Sequence, residues 1–127
     1  MPAPQLRHFN VFTDPYTPDP TPIHNGVRSS VRLLYRSPDN RVLVTSRKYP
    51  DGANYRFGGD VKHDEVFYIV EGEVLCTPIN AKPVILRKGE AVYFPAGLDA
   101  QWEYTRDSQH LAFFWSDGPL GATSLKG

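Results

Sequence analysis

The sequence contains little of what several large classes of protein require. Its one cysteine, Cys76, excludes an internal disulfide and a metal cage built of thiolates. Lysine and arginine total 14, as do aspartate and glutamate, so the basic excess typical of a nucleic-acid-binding groove is missing. The longest apolar run, residues 111–115, is far shorter than the roughly 20 residues of a membrane span. We therefore expect no nucleic-acid partner and no membrane partner.

Two further absences concern location and secondary structure. The first residues contain no apolar stretch that could act as a secretory signal, so we expect a cytoplasmic protein. No window of about 11 residues carries an apolar stripe at helical spacing, so no amphipathic helix is predicted. A chain of 127 residues corresponds to one domain and buries roughly two-thirds of its unfolded surface, which is enough for one core.

Proline is concentrated at the start of the chain. The sequence has 12 prolines, and half of them lie within residues 1–22. Proline fixes φ and lacks a backbone donor, so residues 14–22 can form neither a helix nor a central strand. We predict that residues 1–26 form an extended arm, ordered by docking; the alternative is a frayed tail.

Short strands separated by turns fill residues 27–127, which we predict to be an all-β domain, a sandwich or a barrel. Strands are expected within a hairpin at 27–48 and near 53–60, 65–77, 83–88, 91–94, 100–106 and 110–116. In the first strand of the hairpin at 27–48, the alternation of side chains predicts one inward set of apolar residues and one solvated set of arginines. The inward set is Val27, Val31, Leu33 and Tyr35, and the solvated set is Arg28, Arg32 and Arg36.

The segment 52–104 resembles the two sequence motifs of the cupin superfamily. The first motif is a glycine, five residues, His-x-His, three or four residues, a glutamate, six residues and a glycine. The second is a glycine, five residues, Pro-x-Gly, two residues, a histidine, three residues and an asparagine. The skeleton of both motifs is present, at Gly52, Glu65, Gly72, Gly89, Pro95 and Gly97. This resemblance implies a cupin-type antiparallel β-barrel, or jelly roll, preceded by the N-terminal extended arm.

The positions that bind metal in that family differ here. In metal-binding cupins three histidines and the glutamate hold a divalent ion, whereas this chain has Gly58, Asp60 and Ala100 at the histidine positions and retains Glu65. Without imidazoles the remaining carboxylates form a harder and weaker site. The resemblance therefore implies a degenerate metal site and no cofactor, although two carboxylates could hold Mn or Mg with help from water.

A narrower resemblance points to one branch. Residues 65–73 and 94–97, together with Trp102, look like the small cupins related to ureidoglycine aminohydrolase and to the cupin of ethanolamine utilisation. A glutamine beside a tryptophan supplies one manganese ligand in ureidoglycine aminohydrolase, and Gln101-Trp102 resembles that pair. The other ligands of that enzyme have no clear counterparts, so its activity does not carry over. Gln101 or His63 could complete a shifted site.

Glu65 and Asp60 are the candidate catalytic residues. If Glu65 points into an apolar barrel, its pKa should rise, which suits a general acid or base. Asp60 should share that cavity, and a pair of carboxyl groups can divide the acid and base roles. The alternatives are that Glu65 is satisfied by a neighbouring arginine or tyrosine and that Asp60 lies in solvent at the rim.

Five residues are candidates for ligand binding: Arg56, His63, Gln101, Trp102 and Tyr104. Arg56 should point into the barrel and bind a carboxylate, or else form an internal salt bridge. Trp102 and Tyr104 should line the barrel as aromatic walls, or else be plain core. His63 lies in a charged turn and is expected to be solvated unless it faces Glu65.

Two functions of different class follow. One is a binding protein that holds a small polar organic acid or amine in the barrel. The other is an enzyme that uses Glu65 for proton transfer or hydrolysis, with a weakly held divalent metal at most. We also expect a homodimer in which the arm or the first strand extends a partner's sheet edge. The remaining histidines, His8, His24 and His110, are expected at the surface or hydrogen-bonded.

Overall fold

A computed structural model describes residues 6–19, 28–57, 62–118 and 120, and all regular elements in these ranges are β-strands. The all-β prediction is therefore confirmed. No helix of the described ranges is long and apolar enough to cross a membrane. The strands are β1 (Thr17–Pro18), β2 (Ser30–Arg36), β3 (Val42–Tyr49), β4 (Asn54–Phe57), β5 (Asp64–Glu71), β6 (Glu73–Pro78), β7 (Val84–Arg87), β8 (Ala91–Phe94), β9 (Ala100–Tyr104) and β10 (Ser108–Trp115).

The strands form two antiparallel sheets. The large sheet has the order β1-β2-β3-β10-β5-β8 and the small sheet the order β4-β9-β6-β7. Successive side chains alternate between faces, so each sheet turns one apolar face toward the other. The rings of Phe67 on β5 and Trp102 on β9 meet across this gap, with centroids 5.3 Å apart. We call the space between the two inner faces the barrel interior.

The glycines of the motif skeleton stand where the chain turns. Gly72 separates β5 from β6 and is therefore the point at which the chain passes from the large sheet to the small sheet. Its φ is +83°, and Gly89, in the turn before β8, has a φ of +87°. Glycine adopts such angles without steric cost, which explains why the motif skeleton has glycine at these two turns.

The predicted alternation in β2 is wrong. Leu34 is the buried residue of this strand, whereas Leu33 and Tyr35 are exposed. For Leu34 and Tyr35 the reason is a shift in the register between β2 and β3 that falls between Leu33 and Tyr35. Such an irregularity inserts an extra residue, so alternation cannot be carried across it.

Arg32 is only partly exposed, which corrects the prediction of a solvated side chain at that position, whereas Arg28 is exposed as predicted. Arg32 donates from Nη1 to the carbonyl of Pro15 at 3.1 Å and lies 3.6 Å from the carboxylate of Asp14. Arg28 donates from Nη1 to the carbonyl of Asp19 at 3.0 Å. Both side chains therefore hold the proline-rich segment against the sheet.

Part of that segment, around Val11 and Tyr16, docks on the outer face of the large sheet, whereas Thr17–Pro18 pair with β2 at the edge of the same sheet. Tyr16 Oη lies 2.5 Å from Ser46 Oγ on β3. Gln109 on β10 donates from Nε2 to Tyr16 Oη at 2.8 Å and to the carbonyl of Val11 at 2.5 Å. These polar contacts join the described part of the arm to the body of the domain, while residues 1–5 and 20–27 lie outside the described part of the chain.

Candidate functional site

A buried carboxyl and imidazole meet at one end of the barrel interior. Glu65, near the start of β5, is 0% exposed, and its Oε1 lies 2.6 Å from Nε2 of His63. The imidazole of His63 packs edge-on against Phe114, with centroids 5.2 Å apart. His63 is therefore not solvated, which corrects the default expectation for its turn, and it is the hydrogen-bond partner of Glu65 in place of the expected arginine or tyrosine.

Burial shapes the electrostatics of this pair. Desolvation raises the pKa of Glu65, and the contact with His63 and the charge of Arg47 oppose that rise. The second carboxyl oxygen, Oε2, is buried and has no hydrogen-bond partner among the described residues. It can accept a hydrogen bond as a carboxylate or donate one as a carboxylic acid, so it is the atom of the pair that can still bind another molecule.

The two aromatic candidates on β9 occupy the barrel interior, as predicted. Trp102 is buried against Phe67 and Phe94, and its Nε1 has no hydrogen-bond partner among the described residues. Tyr104 stacks on Tyr49 with centroids 4.3 Å apart. A buried indole N–H normally finds an acceptor, so Nε1 of Trp102 is a second buried polar atom that can bind another molecule.

Three tyrosine hydroxyls converge next to these rings, two of them from residues that the sequence did not single out. Tyr55 Oη lies 3.3 Å from Tyr49 Oη and 3.4 Å from Tyr104 Oη. Burial raises the pKa of all three hydroxyls, so each keeps its proton at neutral pH. This tyrosine cluster therefore presents hydrogen-bonding phenols rather than negative charge.

Arg47 and His110 are cross-strand neighbours on β3 and β10, and both are buried. Arg47 forms an ion pair of 2.6 Å with Asp19 of the docked segment. His110 stacks on Phe67 with centroids 5.0 Å apart, and neither of its ring nitrogens has a hydrogen-bond partner among the described residues. The prediction that His110 is a surface or hydrogen-bonded histidine is wrong.

The burial of His110 predicts a specific dependence of stability on pH. Desolvation and the charge of Arg47 hold the pKa of His110 at about 3. Between about pH 6.5 and about pH 3 only the unfolded chain protonates this residue, so stability is lost as the pH falls. Relative to wild type, His110→Phe should gain about 1.4 kcal/mol per pH unit on acidification, measured by urea unfolding at several pH values. Parallel curves for the two proteins would contradict it, and His8→Phe, at an exposed position, is the control.

Arg56 and Gln101 do not point into the barrel interior, which corrects the predicted placement of both. They are register partners on β4 and β9, and they face outward because Tyr55 and Phe57 occupy the inner side of β4. The Arg56 side chain is 60% exposed and binds Asp99 through Nε at 2.9 Å and Nη2 at 2.5 Å. Gln101 donates to the side chain of Asn54.

The described positions do not fit the metal centre of metal-binding cupins. Ala100 is buried in the core and has no donor atom, which leaves Glu65 as the one ligand of that centre present among them. No group of three or more histidine, cysteine, aspartate or glutamate side chains in the described ranges is arranged to hold a metal ion. Asp60, the predicted partner of Glu65, and Gly58 lie outside the described residues.

Comparison with known proteins identifies the fold. Residues 55–107 match the family model of the EutQ-like cupin domain, and no curated protein matches the chain. KdgF from Halomonas sp. superposes with a TM-score of 0.67 at 16% identity, over 86% of this chain and 94% of that one. EutQ from Clostridium difficile superposes with a TM-score of 0.60 at 16% identity, over 71% of this chain and 69% of that one. A predicted oxalate decarboxylase from Thermotoga maritima superposes with a TM-score of 0.65 at 23% identity, over 80% of this chain and 93% of that one. These likenesses establish a shared fold and confirm the predicted jelly roll.

Proposed function

We propose that this small cupin-superfamily protein, which is related to the EutQ branch, binds a small polar organic molecule in its barrel interior. One observation carries the proposal: several inward polar atoms are buried without a hydrogen-bond partner among the described residues. They are Thr45 Oγ1, Glu65 Oε2, Trp102 Nε1 and both ring nitrogens of His110. Each such atom costs about 1–3 kcal/mol when it stays unsatisfied, so a bound molecule that completes their hydrogen bonds supplies a reason for them.

The chemistry of these atoms restricts the molecule. Glu65 as a carboxylate accepts a hydrogen bond from an amine or hydroxyl group. Trp102 can only donate, so it requires an acceptor such as a carbonyl or carboxylate oxygen. Neutral His110 offers one donor and one acceptor. The molecule that fits carries donor and acceptor groups together, as small hydroxy acids and amines do, and the aromatic rings supply apolar walls.

An acid–base enzyme is the second candidate, and the contact between His63 and Glu65 favours it. A buried carboxyl group whose pKa is raised, held 2.6 Å from an imidazole, is suited to accept and return a proton from a bound substrate. In this function Glu65 is the general acid or base, and His63 holds its carboxyl group in position. A Glu65→Gln variant that still binds but no longer turns over substrate would distinguish the enzyme from a binding protein.

Fluorescence of Trp102 provides the direct test. The chain has two tryptophans, so Trp115→Phe leaves the buried indole as the only one. This variant is titrated with acetate, oxalate, malate, ethanolamine and glycerol at constant ionic strength. A saturable change in emission with one class of compound supports binding in the barrel, and uniform, unsaturable quenching by all five would contradict it.

Glu65→Gln in the same background should weaken binding of the responding compound by about 10- to 100-fold, because a hydrogen bond to a charged group is lost. Glu103→Gln is the matched control, since Glu103 lies on β9 and faces away from the interior. Equal affinities for the Glu65 and Glu103 variants would place the binding site outside the barrel interior.

A further inference from the structure

The barrel interior contains a buried positive charge at the end away from Glu65. Arg47 on β3 is fully buried, and it lies on the same strand face as the core residues Leu43 and Tyr49. In the register of the large sheet, Glu65 pairs with Phe114 and Phe114 pairs with Leu43, which is four residues along β3 from Arg47. The backbone positions of the carboxyl group and the guanidinium are therefore about 13 Å apart along the strands.

The side chains around Arg47 are suited to an anion. His110, its cross-strand neighbour on β10, has two ring nitrogens without a hydrogen-bond partner among the described residues. Burial raises the pKa of Tyr49 and Tyr104, and the charge of Arg47 opposes that rise, so its field reaches the tyrosine cluster. A guanidinium, a neutral imidazole and phenol hydroxyls all donate hydrogen bonds. A carboxylate only accepts them, so it matches this end of the interior.

The docked segment supplies a carboxylate to Arg47 in this structure. Asp19 Oδ2 lies 2.6 Å from Arg47 Nη1, and Ser29 Oγ lies 3.5 Å from the same nitrogen. Asp19 directly follows β1, a strand of two residues at the edge of the large sheet. A short edge strand opens locally at a lower free energy than a core strand. Asp19 can therefore leave Arg47 while the strands of the barrel stay in place.

We propose that Arg47 selects a carboxylate in the barrel interior, and that Asp19 is an internal carboxylate which the ligand displaces. This inference rests on the proposed function and narrows its ligand to an organic acid. The exchange conserves the buried ion pair, because the carboxylate of the ligand takes the place of Asp19 while the Asp19 carboxylate moves into water. Two carboxylates then compete for one guanidinium, so Asp19 lowers the affinity for every acid, and a bound acid loosens the segment.

Chemical rescue of Asp19→Asn tests the proposal. The urea midpoint of this variant should rise with acetate concentration at constant ionic strength, because acetate replaces the missing carboxylate beside Arg47, whereas glycerol should have no such effect. In the Trp115→Phe background, acetate and malate should bind Asp19→Asn at least about 10-fold more tightly than they bind the chain that retains Asp19. Asp99→Asn is the matched control, since it removes the carboxylate of the exposed pair with Arg56 and should show neither effect.

Hydrogen exchange of the wild-type chain decides the question even if Asp19→Asn fails to fold. The Asp19 amide donates to the carbonyl of Ser29 at 2.8 Å, and saturating malate should speed its exchange at least about 10-fold, while glycerol leaves it unchanged.

Three results would overturn the proposal. If ethanolamine or glycerol binds and the acids bind neither protein, the proposal fails and the proposed function stands. The same holds if an acid binds with equal affinity with and without Asp19 and leaves exchange of the Asp19 amide unchanged. If none of the five compounds binds either protein, the proposed function and this proposal fail together.

Discussion

Gly72→Ala is expected to destabilise the protein by about 2–5 kcal/mol, the sum of a left-handed backbone and an overpacked turn. The φ of +83° disfavours any residue with a Cβ. A Cβ at this position would also lie 2.2 Å from Ser108 Oγ and 2.5 Å from the carbonyl oxygen of Asp107. Ser108 cannot give way cheaply, because its Oγ accepts a hydrogen bond from the Glu73 amide at 3.0 Å.

Gly89→Ala separates the two causes. Its φ of +87° matches that of Gly72, but no atom lies within 4 Å of the position its Cβ would take. Only the conformational cost of about 1–2 kcal/mol is then expected. Urea unfolding of both variants measures the difference, which isolates the steric contribution at the point where the chain changes sheets. Equal losses of stability would show that the contact with Ser108 does not matter.

These glycines explain why the fold could be predicted from the sequence. Few residues other than glycine adopt a positive φ easily, so turns of this kind place glycines at fixed spacing in the sequence. Gly72, Gly89 and Gly97 all have φ above +80° and all belong to the predicted skeleton. The strands between them follow from that spacing, and alternation within β9 then places Trp102 and Tyr104 correctly in the interior.

The candidate site was predictable only where alternation stays within one strand. Arg56 shares the parity of positions 58 and 60, which the motif places in the cavity, but those positions lie beyond the end of β4 at Phe57, so their parity does not predict the orientation of Arg56 within the strand. Arg47 and His110 were missed because charged or polar residues in a strand are normally taken to face solvent. Their position in the strand does indicate burial. Arg47 lies on the same strand face as Leu43, and His110 lies on the same strand face as Phe114. Leu43 and Phe114 both belong to the core.

The contact of His63 with Glu65 could not be derived from spacing. The two residues are separated by one position, which in a regular strand would place both on one face. His63, however, precedes β5, which begins at Asp64. The orientation of its ring therefore depends on packing against Phe114 from β10, and that contact is set by tertiary structure rather than local pattern.

Asp19→Asn is expected to cost about 3–5 kcal/mol, because it removes one charge from a buried ion pair. The side chains of Arg47 and Asp19 are 1% and 4% exposed, and the closest oxygen and nitrogen atoms lie 2.6 Å apart. Asparagine has nearly the same shape as aspartate, so the loss reports charge rather than packing. Asp19 belongs to the docked segment, so residues 6–19 should also become more susceptible to proteolysis in the Asp19→Asn variant.

Asp99→Asn provides the matched comparison for that prediction. Asp99 pairs with Arg56 at 2.5 Å, but the arginine side chain is 60% exposed, so water screens the contact and no measurable loss is expected. Replacing both partners of the buried pair, as in Asp19→Leu with Arg47→Met, should recover most of the stability, since apolar residues of similar volume often substitute for buried ions without loss. Similar losses of stability for the Asp19 and Asp99 variants in urea unfolding would show that burial of the pair contributes nothing. Failure of the double replacement to recover stability would instead show that the aspartate holds the segment through more than its charge.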